Sequence, residues 1–281
     1  MSFSDRIRAL PTADLSDRVP FVADGVTVGY VTPAFASSLG EFADVFQLGP
    51  RGLALHPALD TYDKRTRRVN DVLKVLRERG AVPHWRNENY RVSASFHAPA
   101  AFEMERAAAT LFGITAYGVH LNGFVRDKHS LSMWIGRRSR SAAVEPGKLD
   151  QLVAGGLPAK LTISENLAKE ASEEASIPAD LVAQAKPAGT VSYCTDWQGG
   201  LKRDVLFVFD LELPPDFVPC NSDGELDAFT LLPIADVMAT ARETADFKFN
   251  CSLVVIDFLI RHGVIGPDEP DYTELVRGLH R

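Results

Sequence analysis

The stretch Lys169-Glu170-Ala171-Ser172-Glu173-Glu174-Ala175-Ser176-Ile177 lies downstream of a glycine pair, Gly155-Gly156. In a helix, Glu170, Glu173 and Glu174 stand at i, i+3 and i+4 and share one face. Like charges placed this way destabilise a helix by roughly 0.2–0.5 kcal/mol per pair. A hard divalent cation taking oxygen ligands would offset the repulsion. The alternative is a solvated acidic face. Just upstream, Thr162-Ile163-Ser164-Glu165 reads as a capping box, and Glu165 with Lys169 as a favourably oriented i, i+4 pair.

Bulk numbers narrow the classes. A chain of 281 residues points to two domains. Hydrophobic content of 46% and charged content of 24% are ordinary for a globular protein. The net charge of −7 argues against a nucleic-acid partner, whose binder should be basic. Cys194, Cys220 and Cys251 are odd in number and show no CxxC spacing, which fits reduced thiols better than disulfides or zinc. Residues 1–10 lack the apolar core of a signal peptide, and the apolar run at 253–260 is too short to span a bilayer. The expectation is a cytoplasmic protein without a membrane partner; the sequence does not give its oligomeric state.

The pattern divides the chain near residue 115. Residues 18–30 read as a hairpin, 33–46 as a helix, 65–79 as a helix closed by Gly80, 91–96 as a strand, and 99–112 as a helix stopped by Gly113. Strands follow at 117–125 and 130–136, then a basic loop with Arg137, Arg138, Arg140 and Lys148, and the glutamate helix. Residues 205–213 read as a central strand and 245–262 as a helix ending at Gly263.

Gly155 and the three glutamates, at their spacing, resemble the Nudix box, G-x5-E-x7-R-E-U-x-E-E-x-G-U. Leu161 replaces the first Glu, Lys169 the Arg and Ser176 the last Gly. Further segments, among them Trp134-Ile135-Gly136-Arg137-Arg138-Ser139, Pro146-Gly147-Lys148-Leu149-Asp150, Asp223-Gly224-Glu225, Phe247-Lys248-Phe249-Asn250 and Trp85-Arg86-Asn87-Glu88, resemble a Nudix subgroup with its own N-terminal domain. That subgroup includes plant plastid enzymes and the N-terminal half of a fungal thiamine pyrophosphokinase. The resemblance implies an α/β fold: a Nudix α/β/α sandwich over 116–281, preceded by a smaller α+β accessory domain over 1–115. It also implies hydrolysis of a diphosphate linked to an organic group with Mg²⁺, or Mn²⁺ in its place, and thiamine diphosphate or its oxidised forms as substrate, cleaved to the monophosphate. The alternatives are hydrolysis of nucleoside-diphosphate derivatives, or a non-catalytic sensor of a diphosphate metabolite.

Candidate residues follow. Glu170, Glu173, Glu174 and the Gly155 carbonyl are metal ligands, with Glu173 and Glu174 counted as catalytic. Glu225, in a polar turn, is either a surface glutamate or a further metal ligand or general base. Arg137, Arg138, Arg140 and Lys148 are either a solvated loop or phosphate contacts, for which the Arg fork is suited. Trp85, Arg86 and Glu88 are packing and surface residues or the walls of the organic group's pocket, with Trp197 as a further aromatic. His120 reads as a core histidine.

Overall fold

The computed structural model describes residues 2–142 and 144–280. The chain opens with α1 (Phe3–Arg8), capped reciprocally by Ser2 and Asp5. β1 (Val19–Ala23) and β2 (Val26–Val31) form the expected hairpin. α2 (Pro33–Leu39) is shorter than the expected 33–46, because a 3-10 turn starts at Gly40 and Phe46 opens β3 (Phe46–Gly49). After β4 (Gly52–Leu55), α3 (Tyr62–Glu78) buries Val69, Val72, Leu73 and Leu76, the face its spacing indicates, and Gly80 follows at φ 76°.

β5 (Asn89–Val92) and β6 (Phe102–Glu105) pair antiparallel, and a 3-10 turn leads into the short α4 (Ala109–Phe112). The continuous helix expected over 99–112 is not formed. Phe102-Glu103-Met104-Glu105 alternates as a strand, and both glutamates are buried with partners. The Tyr62 hydroxyl donates to Glu103 (2.6 Å) and the Arg86 backbone N–H to Glu105 (3.0 Å).

The second half contains β7 (Thr115–Arg126), β8 (Leu131–Arg138), β9 (Leu149–Asp150), β10 (Val153–Gly156), α5 (Ile163–Ala175), α6 (Ala179–Val182), β11 (Lys186–Trp197), β12 (Gly200–Glu212), β13 (Leu226–Pro233), α7 (Ile234–Glu243), α8 (Phe249–Arg261) and α9 (Tyr272–Gly278). Arg137 and Arg138 therefore end a strand rather than begin a loop.

Among the described residues, β1 to β4 form a sheet ordered β2-β1-β4-β3. A seven-stranded sheet follows the order β11-β12-β7-β8-β13, with β10 added beside β7 and β9 beside β8. β12 is central and runs parallel to β7. Alternation along β12 sends Leu206 and Val208 to the face under α7 and α8, and Phe209 and Leu211 to the face under α5 and α6. Helices on both faces of one sheet make an α/β/α sandwich. Phe3, Ile7 and Leu10 join the α8 core rather than that of the unit they precede.

The two halves meet closely. A Cβ on Gly200 would strike the Thr110 backbone, and one on Gly156 the Tyr90 hydroxyl. Among the described residues no helix is long and apolar enough to cross a membrane. Cys194, Cys220 and Cys251 are free.

Candidate active site

β10 delivers the glycine pair and α5 delivers the carboxylates that face it. Helix α5 starts where the capping box indicates: Thr162 Oγ1 accepts from the Glu165 N–H (3.2 Å), and Glu165 accepts from the Thr162 N–H (2.8 Å). It ends at Ser176, which is left-handed (φ 51°) at the box's last glycine position. The Ser176 hydroxyl donates to the Cys220 carbonyl (2.7 Å), and this partner offsets the backbone cost.

Glu174 is buried, and its Oε2 accepts from the Ala154 N–H of β10 (2.8 Å). Burial pushes its carboxyl pKa well up against that hydrogen bond, and Asp150, Glu170 and Glu225 push the same way. Glu174 forms no ion pair with a described residue. Glu170 lies against Gly155, where a Cβ would collide with its carboxyl. Burial raises its pKa, opposed by Lys169 and reinforced by Glu173. Glu173 is exposed at the helix edge.

Lys169 does not pair with Glu165, whose carboxylate is taken up by the cap. Its Nζ donates to Glu170 (3.1 Å) and Glu173 (2.9 Å), and these bonds raise the lysine pKa against its own desolvation. Leu161, at the position of the box's first glutamate, instead lines an apolar cavity of about 420 Å³ with Tyr90, Phe96, Tyr117, Leu157 and Ile163.

Among the described residues, no three His, Cys, Asp or Glu side chains form a ready-made metal cage. The donors nonetheless fit a hard cation. Glu174 is a buried carboxylate lacking a cationic partner, Glu170 is beside it, and both are oxygen donors adjoining the Gly155 backbone. Mg²⁺ keeps several waters and needs only a few carboxylates.

A cleft of about 490 Å³ runs past this glycine pair, between the N-terminal unit and the seven-stranded sheet. Glu225 lines it. Its loop is fastened to the end of α5: Asn221 Nδ2 donates to the Glu174 carbonyl (3.1 Å) and the Ser222 hydroxyl to that of Glu173 (2.7 Å).

Part of the cleft wall is cationic: Arg138 and Lys248 line it, while Glu170, Glu173 and Glu174 do not, Glu170 standing against the Gly155 that does. Asp150 is buried and receives Arg138 (2.8 Å), Lys248 (3.5 Å) and the Cys251 thiol (2.6 Å). Burial alone would raise the Asp150 pKa, but Lys248 and Arg138 outweigh it and hold the carboxyl below its usual range. Two cations on one carboxylate leave this wall with surplus positive charge. His120, also lining the cleft, is buried with Nδ1 on Gln151 (2.9 Å), and burial lowers its pKa to about 4, leaving it neutral near pH 7.

Of the four basic residues named from sequence, Arg138 lines the cleft and the other three do not. Arg137 donates to the Gly147 carbonyl (2.9 Å), Lys148 to that of Ala245, and the Arg140 N–H to Asp227 (3.3 Å). Trp85 and Glu88 line a separate groove with Thr66, Lys74 and Lys160. Trp85 lies under Arg77 (5.1 Å) and donates to Asn87 (2.8 Å), while Glu88 pairs with Arg106. The residues that the N-terminal unit does place in the cleft include Arg86, Tyr90 and Arg106. Trp197 lines it as well, tilted over Phe249 at 4.8 Å. Lys248 had a sequence signal, since it lies in a quoted segment of the resemblance. Arg106 had none, because its segment reads as helix.

Comparison with known proteins gives three findings. A family model described as "Domain of unknown function (DUF4743)" matches residues 2–116. Nudix hydrolase 24, chloroplastic, from Arabidopsis thaliana is 47% identical over 94% of this chain and 73% of its own length; Nudix hydrolase 20, chloroplastic, from the same plant is 46% identical over the same shares. Among solved structures, the MutT protein of Methanosarcina mazei Go1 is 18% identical with a TM-score of 0.41, covering 53% of this chain and 95% of that one.

Proposed function

The chain belongs to the Nudix hydrolase family and is a Nudix-type hydrolase, and on that footing we propose that it cleaves a diphosphate joined to an organic group, with a divalent cation held at Glu170, Glu173 and Glu174. The observation that carries this reading is a cleft lined by both a glycine backed by carboxylate and a surplus of cations. Glu170 stands against Gly155 of the lining, and Arg138 and Lys248, also in the lining, outnumber the Asp150 they share. A diphosphate needs both a cation between it and the carboxylates and positive charge near its other oxygens.

Bound Mg²⁺ or Mn²⁺ would neutralise phosphate charge and lower the pKa of an attacking water. Glu170 and Glu174, with the Gly155 carbonyl, supply oxygens from the inner side, and Glu173 adds one when it leaves Lys169. Glu225, on the exposed edge of the cleft, takes the proton of the attacking water. Arg138, with Nε on the Val144 carbonyl and Nη1 on Asp150, offers Nη2 to a phosphate oxygen.

The finer reading is that the organic group is a cationic heteroaromatic, as in thiamine diphosphate or its oxidised forms, released as the monophosphate. Trp197 and Phe249 offer ring faces in the cleft and Asp204 a carboxylate in the same lining. Three free cysteines favour a reducing compartment, and we place the protein in the cytoplasm on that ground.

A Mg²⁺-dependent screen over thiamine diphosphate, its oxidised forms, nucleotide sugars and dinucleotides tests both levels. Highest kcat/KM on the thiamine compounds is the expected result. A preference for nucleotide derivatives would replace the organic group and keep the diphosphate chemistry. Absence of metal-dependent turnover on every compound would remove both.

A further inference from the structure

Arg106 belongs in sequence to the N-terminal unit, yet it stands in the wall of the catalytic cleft. Two sets of contacts hold it there. Its backbone N–H donates to the Glu88 carbonyl (2.8 Å), one step beyond the Asn89–Glu105 pair, so it extends the β5–β6 ladder. Its guanidinium lies 5.4 Å from the centroid of the Tyr90 ring. Tyr90 is itself buried, with its hydroxyl so close to Gly156 that a Cβ there would overlap it.

The guanidinium is thereby carried beside the glycine pair by the N-terminal unit. The charge of Glu170 reaches it, and with Tyr90 and Glu88 raises its pKa against burial. A guanidinium has five N–H donors in a planar fork. The Glu88 carboxylate receives one of the two terminal nitrogens. The side chain remains 34% exposed, on the cleft side of the ladder.

We propose that Arg106 is an anion-binding residue of the cleft, lent by the N-terminal unit, which grips a phosphoryl group of the substrate while Glu88 holds it in register. The proposal rests on the diphosphate reading given above. It assigns Glu88 a positioning role in place of direct contact with the organic group. It also gives the accessory unit a share in the chemistry common to all diphosphates. Arg suits the task because its fork meets two phosphate oxygens at once. With the box carboxylates and their cation from the sandwich and Arg106 from the N-terminal unit, a bound phosphoryl group is held from both units.

The test is calorimetric binding of inorganic diphosphate to the full chain, with and without Mg²⁺, so that turnover is not needed. Arg106→Ala should weaken binding about tenfold or more. Arg106→Lys, which keeps the charge over Tyr90 but loses the fork, should lie between it and the parent. Glu88→Gln, which loses the charged partner that holds the fork in register, should weaken binding less than Arg106→Ala does. Parent-like affinity in a folded Arg106→Ala overturns the proposal. Should that variant not fold, parent-like affinity in Arg106→Lys overturns it instead. Turnover of Glu173→Gln is measured separately. Full activity there would sink the carboxylate site and leave the metal-free diphosphate result standing on its own.

Discussion

Glu174 is a carboxylate at odds with its surroundings, buried with three like-charged neighbours and one backbone donor. Glu174→Gln removes the charge and keeps an oxygen for the Ala154 N–H. The metal-free melting temperature should rise, while Mg²⁺-dependent turnover falls roughly a hundredfold. Thermal shifts with and without Mg²⁺, together with initial rates, check both halves; unchanged turnover at limiting Mg²⁺ would take Glu174 out of the chemistry. His120 sets a pH limb. Its folded pKa is about 4 against an ordinary value of 6.5, so between those values the unfolded chain binds the extra proton. Stability is therefore complete above pH 6.5 and is lost on descending to pH 4, by up to roughly 1.4 kcal/mol per pH unit. Denaturant melts across that range should show the limb in the parent and a flatter one in His120→Gln. An equal slope in both would assign the limb to other groups. The glutamates were legible because their pattern is local. The partner of Lys169 was not, because Glu165 can satisfy the cap or the lysine, and the cap's amide at the helix start claims it.

At the scale of the element, α5 ends against the helical preference of its own residue. Ser176 in the left-handed region costs roughly 1–2 kcal/mol, and its hydroxyl bond to Cys220 returns about 1 kcal/mol. Ser176→Ala keeps the strain and loses the bond, so it should destabilise by about 1 kcal/mol. Ser176→Gly loses both and should stay within about 1 kcal/mol of the parent on either side. Equal destabilisation by the two variants in urea melts would show that strain is absent there. The same balance of local and tertiary signals explains residues 99–112. Gly113 does stop a helix, at φ 55°. The start at Pro99 misleads, because proline favours the first turn of a helix, whereas Phe102 and Met104 alternate with Glu103 and Glu105 at strand period. Both glutamates are buried, satisfied by Tyr62 and Arg86 from elements distant in sequence. Missing that strand hid Arg106 and left Trp85 and Glu88 as the visible charged and aromatic candidates.

For the molecule as a whole, the contact of Gly156 with Tyr90 couples the units at the cleft. Gly156→Ala drives a methyl into the Tyr90 hydroxyl, with ring carbon Cζ 3.0 Å away. It should cost about 1–3 kcal/mol. Tyr90→Phe removes the oxygen and should recover part of the loss, giving a coupling energy of about 0.5 kcal/mol or more in a double-mutant cycle. Strict additivity would mean that the units adjust independently. The α/β order was readable from strand and helix periodicity, but how the units face each other was not. That arrangement rests on close approaches of Gly156 to the Tyr90 hydroxyl and of Gly200 to the Thr110 backbone, where a glycine marks room and names no partner.

The placement of α1 bears on how the chain comes into being. Phe3, Ile7 and Leu10 precede the N-terminal unit in the chain, but the helices they pack against, α8 and α9, follow the seven-stranded sheet. The N-terminal unit can condense before those helices are made, yet α1 must stay unpaired until they are. Closing so long a loop is slow and leaves apolar surface bare in the meantime. Deleting residues 2–10 should therefore cost little in the accessory unit's own core, while refolding of the catalytic sandwich slows or ends in aggregation. That docking joins α1 to α8 and α9 beneath the sheet that carries the candidate site.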